Sequence, residues 1–233
     1  MDKLARPEQV DAHEYAGRMV RLKKGEEKPA RARLMTDGEV LSMQHKIMMN
    51  WKPRSEMWPF TWGVGVLGGT TALTGTYINN YCRGKLGLMT FGRISTFAPT
   101  VAIPVMLSTL FHSFLVSNKI LIGEFPCTVC AAVRSGAIQS GFGALYPLLL
   151  GPLICVANAR KYHTYHVPGL SEKGEILPFL RRVMPSPGAM LGMVLLNFGI
   201  GMALAERETL LFAKYLSPTT ASVEREKNDE EFQ

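Results

Sequence analysis

The chain has 233 residues, 47% of them hydrophobic, with 26 Lys+Arg against 19 Asp+Glu and a formal net charge of +7. A pI near 9.3 and a mean hydropathy close to zero suggest a basic soluble protein, even one that binds nucleic acid. The distribution of charge argues against that: 12 of the basic and 9 of the acidic residues fall in 1–56, another 4 and 7 fall in the last 28 positions, and the middle is poor in charge, with its charges confined to three short loops.

Four runs in that middle carry no Asp, Glu, Lys or Arg: Met57–Cys82, Ile94–Asn118, Ser135–Ala159 and Val183–Ala205. A helix rises about 1.5 Å per residue, so roughly 20 residues cross a ~30 Å hydrocarbon core. Each run is long enough. The pattern predicts an all-α polytopic membrane protein with a polar N-terminal arm (1–56), a four-helix transmembrane domain (57–205) and a polar C-terminal tail (206–233).

In chain order, Met1–Arg33 has no apolar stretch of the kind a secretory signal needs. Early Asp2, Glu8, Asp11 and Glu14, and the lack of Ser, also set it apart from a cleavable mitochondrial presequence, so any import address is expected to be internal. Span one, Trp58–Tyr81, has aromatics at both ends, as suits two membrane–water interfaces. Gly65 and Gly69 form a GxxxG, the spacing that lets helix backbones approach closely. Gly63–Gly68 also matches GxGxxG. No βαβ setting surrounds it and no acidic residue follows before Glu124, so small residues in a packed span are the better reading than a dinucleotide loop.

Span two, Ile94–Val116, contains Pro99 and Pro104 and is expected to kink there; His112, near its far end, is expected at headgroup level. Span three, Ser135–Ala159, places Gly136, Ser140 and Ala144 four residues apart, a close-packing face, and Tyr146-Pro147 and Gly151-Pro152 should loosen its second half. Span four, Pro185–Ala205, carries a second GxxxG at Gly188 and Gly192; Asn197, its one strongly polar group, needs a hydrogen bond across to another helix. No span contains Asp, Glu, Lys or Arg, which argues against a channel, pump or transporter. Basic residues near the membrane divide almost evenly between the two sides. Even crossing places both termini on one side, and the basic N-terminal arm is read as placing them in the matrix.

Cys127-Thr-Val-Cys130 lies in the loop between spans two and three. Such a pair can be a structural disulfide or packed thiols, a redox couple, or half of a metal site. His163 and His166 could complete a metal site by spacing alone, but a membrane crossing separates them from the cysteines. With Arg160 and Lys161 they form a basic-aromatic cluster expected at the lipid interface, where anionic headgroups could bind. No nucleophile triad, P-loop or carboxylate pair is legible, so no enzymatic activity, cofactor or metal is expected.

The string Cys127-x-x-Cys130-x-x-x-Arg134-Ser135-Gly136, then Gly143-x-x-Tyr146-Pro147, then Arg160-x-Tyr162, resembles the transmembrane protein 126 family. The likeness reaches back through Asn80, Arg83, Pro99 and Pro104 and covers about 58–205; the N-terminal arm shows no likeness. The resemblance implies a multi-pass protein of the mitochondrial inner membrane. It would be a non-enzymatic assembly factor or accessory subunit of respiratory complex I that binds the membrane arm by helix packing. Cys127, Cys130, Arg134, Tyr146, Gly65, Gly69, Gly188 and Gly192 are then the structural or partner-binding candidates. Arg160, Lys161, His163 and His166 are the candidates for membrane lipid, cardiolipin among them. The alternative is a membrane thiol-redox or lipid-handling protein that uses the CxxC loop.

Overall fold

The structure, a computed structural model, describes residues 35–52, 54–125, 127–167 and 173–216, and these form helices and turns without a strand. The arm before residue 35 and the tail beyond 216 lie outside the described residues. Helix α1, Asp37–Asn50, begins with a capping box: the Glu39 N–H donates to Thr36 Oγ1 (3.4 Å) and the Thr36 N–H to Glu39 Oε2 (2.8 Å), which satisfies donors that a helix start otherwise leaves unpaired. Then come α2 (Trp58–Lys85), α3 (Arg93–Leu121), α4 (Thr128–Tyr162), α5 (Lys173–Val183) and α6 (Pro187–Leu216).

Three of these helices, not the expected four, are long and apolar enough to span a membrane: α3 with 29 residues, α4 with 35 and α6 with 30. The fourth candidate, α2, forms where the sequence suggested, and its 28 residues are long enough. It lacks apolarity, because Thr, Gly and Asn replace aliphatic residues along it. Thr71, Thr74 and Asn79 are buried, so α2 turns a polar stripe inward while Trp62, Val66, Leu73 and Tyr77 face out. The other spans exceed their expected limits. α4 begins at Thr128, so Arg134 lies on its second turn rather than in a loop, and α6 continues past Ala205 to Leu216.

Pro99, Pro104 and Pro147 sit at or beside turns of wider, i→i+5 hydrogen bonding, whereas Pro152 lies within regular α-helix. Such turns occupy Ala98–Ala102, just before Pro104, and Gly141–Leu145, just before Pro147. A widened turn accommodates a residue without an N–H and keeps the helix continuous, and the Thr100 hydroxyl donates to the Thr96 carbonyl in the same stretch.

Helices α2, α3, α4 and α6 pack around one another, closest where glycine removes a side chain. A Cβ on Gly201 of α6 would lie 2.8 Å from the Ser135 carbonyl oxygen and 3.0 Å from the Cα of Gly136, so α4 and α6 cross backbone to backbone. A Cβ on Gly75 of α2 would lie 2.5 Å from the Thr100 oxygen of α3. An apolar cluster closes each end. At one end Ile47 and Met48 of α1 and Trp51 just after it pack with Met57, Leu121 and Leu216; at the other Val183 of α5 packs with Ile78, Cys82, Leu86, Leu148 and Cys155. Large apolar side chains, among them Ile94, Met106, Phe114, Leu149, Leu153, Leu191 and Leu195, cover the outside.

Two substitutions test this packing. Gly201→Ala should lower unfolding stability in detergent by roughly 1–3 kcal/mol, because backbone must move to admit the methyl group. Gly65→Ala, with nothing within 4 Å of the added carbon, should not lower it, and should raise it by about 0.4–1 kcal/mol through the lost backbone freedom of glycine.

Candidate functional site

Inside this apolar shell runs a polar seam built on one face of α4, where Ser135, Gln139 and Gly143 follow at four-residue steps and all three are buried. The Gln139 Nε2 donor faces four acceptors: Leu67 O (3.0 Å) and Thr70 Oγ1 (3.2 Å) and Thr71 Oγ1 (3.0 Å) of α2, and Asn197 Oδ1 (3.2 Å) of α6. Only the amide nitrogen suits that crowd of oxygens, which fixes the orientation of the side chain. Asn197 donates in turn to Thr74 Oγ1 at 3.0 Å, and Thr71 pairs with Ser108 of α3 at 3.2 Å. Gly143 leaves room for this junction: a Cβ there would lie 2.6 Å from Asn197 Oδ1. The interhelical bond expected of Asn197 is therefore present.

One turn away, Ser135 Oγ lies 2.7 Å from the Gly201 carbonyl and 3.0 Å from His112 Nδ1; His112 Nε2 lies 3.3 Å from Glu208 Oε1; and Ser117 Oγ lies 3.0 and 3.1 Å from the two carboxyl oxygens. All four side chains are buried. His112 is therefore enclosed by the helices, and Glu208 inside α6 corrects the premise that the spans lack an acid. Glu208 escaped notice because an uncharged run ends at Ala205. The helix does not end there, and Glu206 and Arg207 face outward while Glu208 turns in.

Counting donors assigns the hydrogens. A carbonyl only accepts, so the Ser135 hydroxyl donates to Gly201 and must accept from His112, which places a hydrogen on Nδ1. His112 Nε2 is then the ring nitrogen that faces Glu208 Oε1. The order Ser135–His112–Glu208 superficially matches a nucleophile triad. Here the serine proton is directed at a carbonyl rather than at the imidazole, and the hydroxyl has no exposed surface, so the arrangement joins helices and does not activate Ser135.

The end of the bundle near α5 is basic. Lys85, Arg93, Arg160, Lys161, Arg181 and Arg182 are exposed there, as are His163 and His166. Buried Arg83 organises the α2–α3 loop, donating to Met89 O (2.7 Å), Phe91 O (3.0 Å), Gly92 O (3.3 Å) and Thr96 Oγ1 (2.8 Å). The loop is latched to α4 by Ser95 on Asn158 (2.9 Å) and by Phe91 stacked on Tyr162, and His163, with φ of 51°, ends α4.

At the opposite end Cys127 is the N-cap of α4, and its sulfur accepts the Cys130 N–H at 3.4 Å. The Cys130 thiol and then the first-turn N–H groups stabilise the thiolate of Cys127 and lower its pKa. Arg134 lies exposed above the Phe125 ring at 5.8 Å, and Tyr146 is half-buried beside Pro147. A helix of 35 residues, roughly 50 Å, separates the cysteines from His163 and His166, and no metal-holding cluster occurs among the described residues. Gly65, Gly69, Gly188 and Gly192 do not serve the interior. Each is exposed with nothing near its missing side chain, on the flanks that carry Trp62, Val66, Leu73, Leu191 and Leu195.

The family model for transmembrane protein 126 matches residues 39–222, which extends the likeness back over α1. Transmembrane protein 126 of Drosophila melanogaster is 34% identical over 73% of this chain and 79% of its own length. Transmembrane protein 126A of Pongo abelii is 28% identical over 76% and 88%, and that of Mus musculus 27% identical over 70% and 82%. No solved structure matches.

Replacement of Glu208 separates geometry from charge. Glu208→Ala strands His112 and Ser117 in the interior and should cost about 3–5 kcal/mol. Glu208→Gln can donate to His112 Nε2 and accept from Ser117, and should cost less than about 1.5 kcal/mol. Thermal unfolding in one detergent compares the two.

Proposed function

This chain belongs to the transmembrane protein 126 family, and from that membership we propose that it is a non-enzymatic, multi-pass scaffold of the mitochondrial inner membrane. It serves respiratory complex I as an assembly factor or accessory subunit, and binds membrane-arm subunits by helix packing. One observation carries the packing part of this reading. The interior polar groups are spent on joining the chain's own helices, whereas two GxxxG stripes, Gly65/Gly69 and Gly188/Gly192, lie open on apolar flanks. A partner helix can approach such a stripe closely. In this reading α2 crosses with its three apolar neighbours, which shelter its polar stripe, and the basic end meets anionic lipid headgroups, cardiolipin among them.

Mild solubilisation, native electrophoresis and mass spectrometry of the tagged full chain test the proposal. The wild type should co-migrate with membrane-arm subunits of complex I, and Gly69→Leu should lose at least about 5-fold of that association, equivalent to roughly 1 kcal/mol, with its own unfolding unchanged. A wild-type chain that migrates alone, or a Gly69→Leu chain that associates normally, contradicts it.

A further inference from the structure

We propose that Cys127 and Cys130 form a thiol–disulfide exchange site for a protein disulfide with apolar flanks. The inference does not depend on the complex I reading. The chain's four cysteines divide into two kinds: Cys82 and Cys155 are fully buried, Cys127 is half-buried and Cys130 is exposed. Cys127 and Cys130 stand at the start of a long helix. Cys127 is extended at the N-cap (φ −134°, ψ 120°), Cys130 follows one turn later, and the Cys127 sulfur accepts the Cys130 N–H at 3.4 Å, so the sulfur is held over the first turn that carries Cys130. That hydrogen bond, at the N-terminus of the helix, favours Cys127 as the attacking thiolate.

The turn is fixed from behind. Ala131 is fully buried against Val116, Ile120 and Ala205, so the pair rests on the bundle rather than on a pliant loop. It also stands clear of the hydrocarbon, since α4 at roughly 50 Å exceeds a ~30 Å core and exposed Arg134 marks the polar boundary one turn further in. In front, Val129 is 65% and Val133 45% exposed, an apolar flank beside the sulfurs that a small hydrophilic disulfide would not use.

The exchange balances. The Cys127 thiolate attacks one sulfur of the client disulfide; the client S–S bond breaks, and the leaving sulfur takes up a proton. Cys130 then loses its proton and attacks the Cys127 sulfur. The mixed disulfide breaks, the client leaves as a dithiol, and Cys127–Cys130 remains as the disulfide. Two electrons and two protons pass from chain to client. The transfer is one-for-one, so it needs no turnover.

The full chain in detergent, incubated with a disulfide-bonded peptide bearing aliphatic flanks and separately with oxidised glutathione, tests this by acid trapping and maleimide mass shift. The wild type should form the Cys127–Cys130 disulfide, with Cys82 and Cys155 still reduced, at least about 10-fold faster with the peptide than with glutathione. Cys130→Ser should accumulate a mixed disulfide at Cys127 at least about 10-fold faster than Cys127→Ser does at Cys130. Unchanged unfolding of both variants confirms that the fold is retained. Failure to form the internal disulfide, or equal trapping by the two variants, overturns the exchange site; equal rates with peptide and glutathione overturn the apolar client.

Discussion

In the interior of the bundle the Gln139 amide and the His112 imidazole draw on donors and acceptors from every helix around them, and most of the remaining architecture follows from satisfying them. Water cannot complete such bonds in hydrocarbon, so each polar group must find its partner within the protein. Gln139 joins α4 to α2 and α6, and His112 joins α3 to α4 and α6. The distances involved require close backbones, and glycine supplies them at Gly136, Gly143 and Gly201. The polar contacts and the glycine crossings therefore depend on one another: without the glycines the hydrogen bonds would lengthen, and without the bonds there would be buried, unpaired groups. Some cost remains, since Gln139 Oε1 and Asn79 Nδ2 have no partner.

Much of this was legible in the sequence, and the errors share a physical origin. The uncharged runs located the helices, the close-packing step of Gly136, Ser140 and Ala144 is buried, and Asn197 bonds as its isolation in an apolar helix required. Spacing, however, does not give rotational phase. Gly65 and Gly69 satisfy GxxxG yet face outward, while Gly63, Gly68 and Gly75 of the same helix meet neighbours. The phase was set by Thr71, Thr74 and Asn79, which must point inward, and those same residues keep α2 below the apolarity of a self-sufficient span. Glu208 was missed for a related reason. A search for uncharged runs treats a carboxylate as the end of a span, but a carboxylate paired with an imidazole and a hydroxyl can lie inside one.

The two ends of the bundle differ in chemistry. One presents exposed basic residues around a loop that Arg83 holds rigid; the other gathers α1, the close of α6, mixed charges and the exposed cysteine pair. The Lys119–Glu124 ion pair at 2.6 Å tightens the turn that leads to those cysteines. The middle contributes the glycine stripes on its outer flanks. The proposals divide among these regions: lipid at one end and helices along the side for the scaffold, and a client disulfide at the other end.

The central claim is that the interior polar bonds act together as one seam. A double-mutant cycle on Gln139→Leu and Asn197→Leu, read by reversible unfolding in detergent, addresses it directly. Because Gln139→Leu takes the donor from Asn197 Oδ1, and Asn197→Leu takes one of the four acceptors from Gln139 Nε2, the account predicts a coupling of about 0.5–3 kcal/mol between the two substitutions, with the double mutant less destabilised than the sum. Additive losses would contradict it, and would mean that each helix is held by its own apolar packing alone.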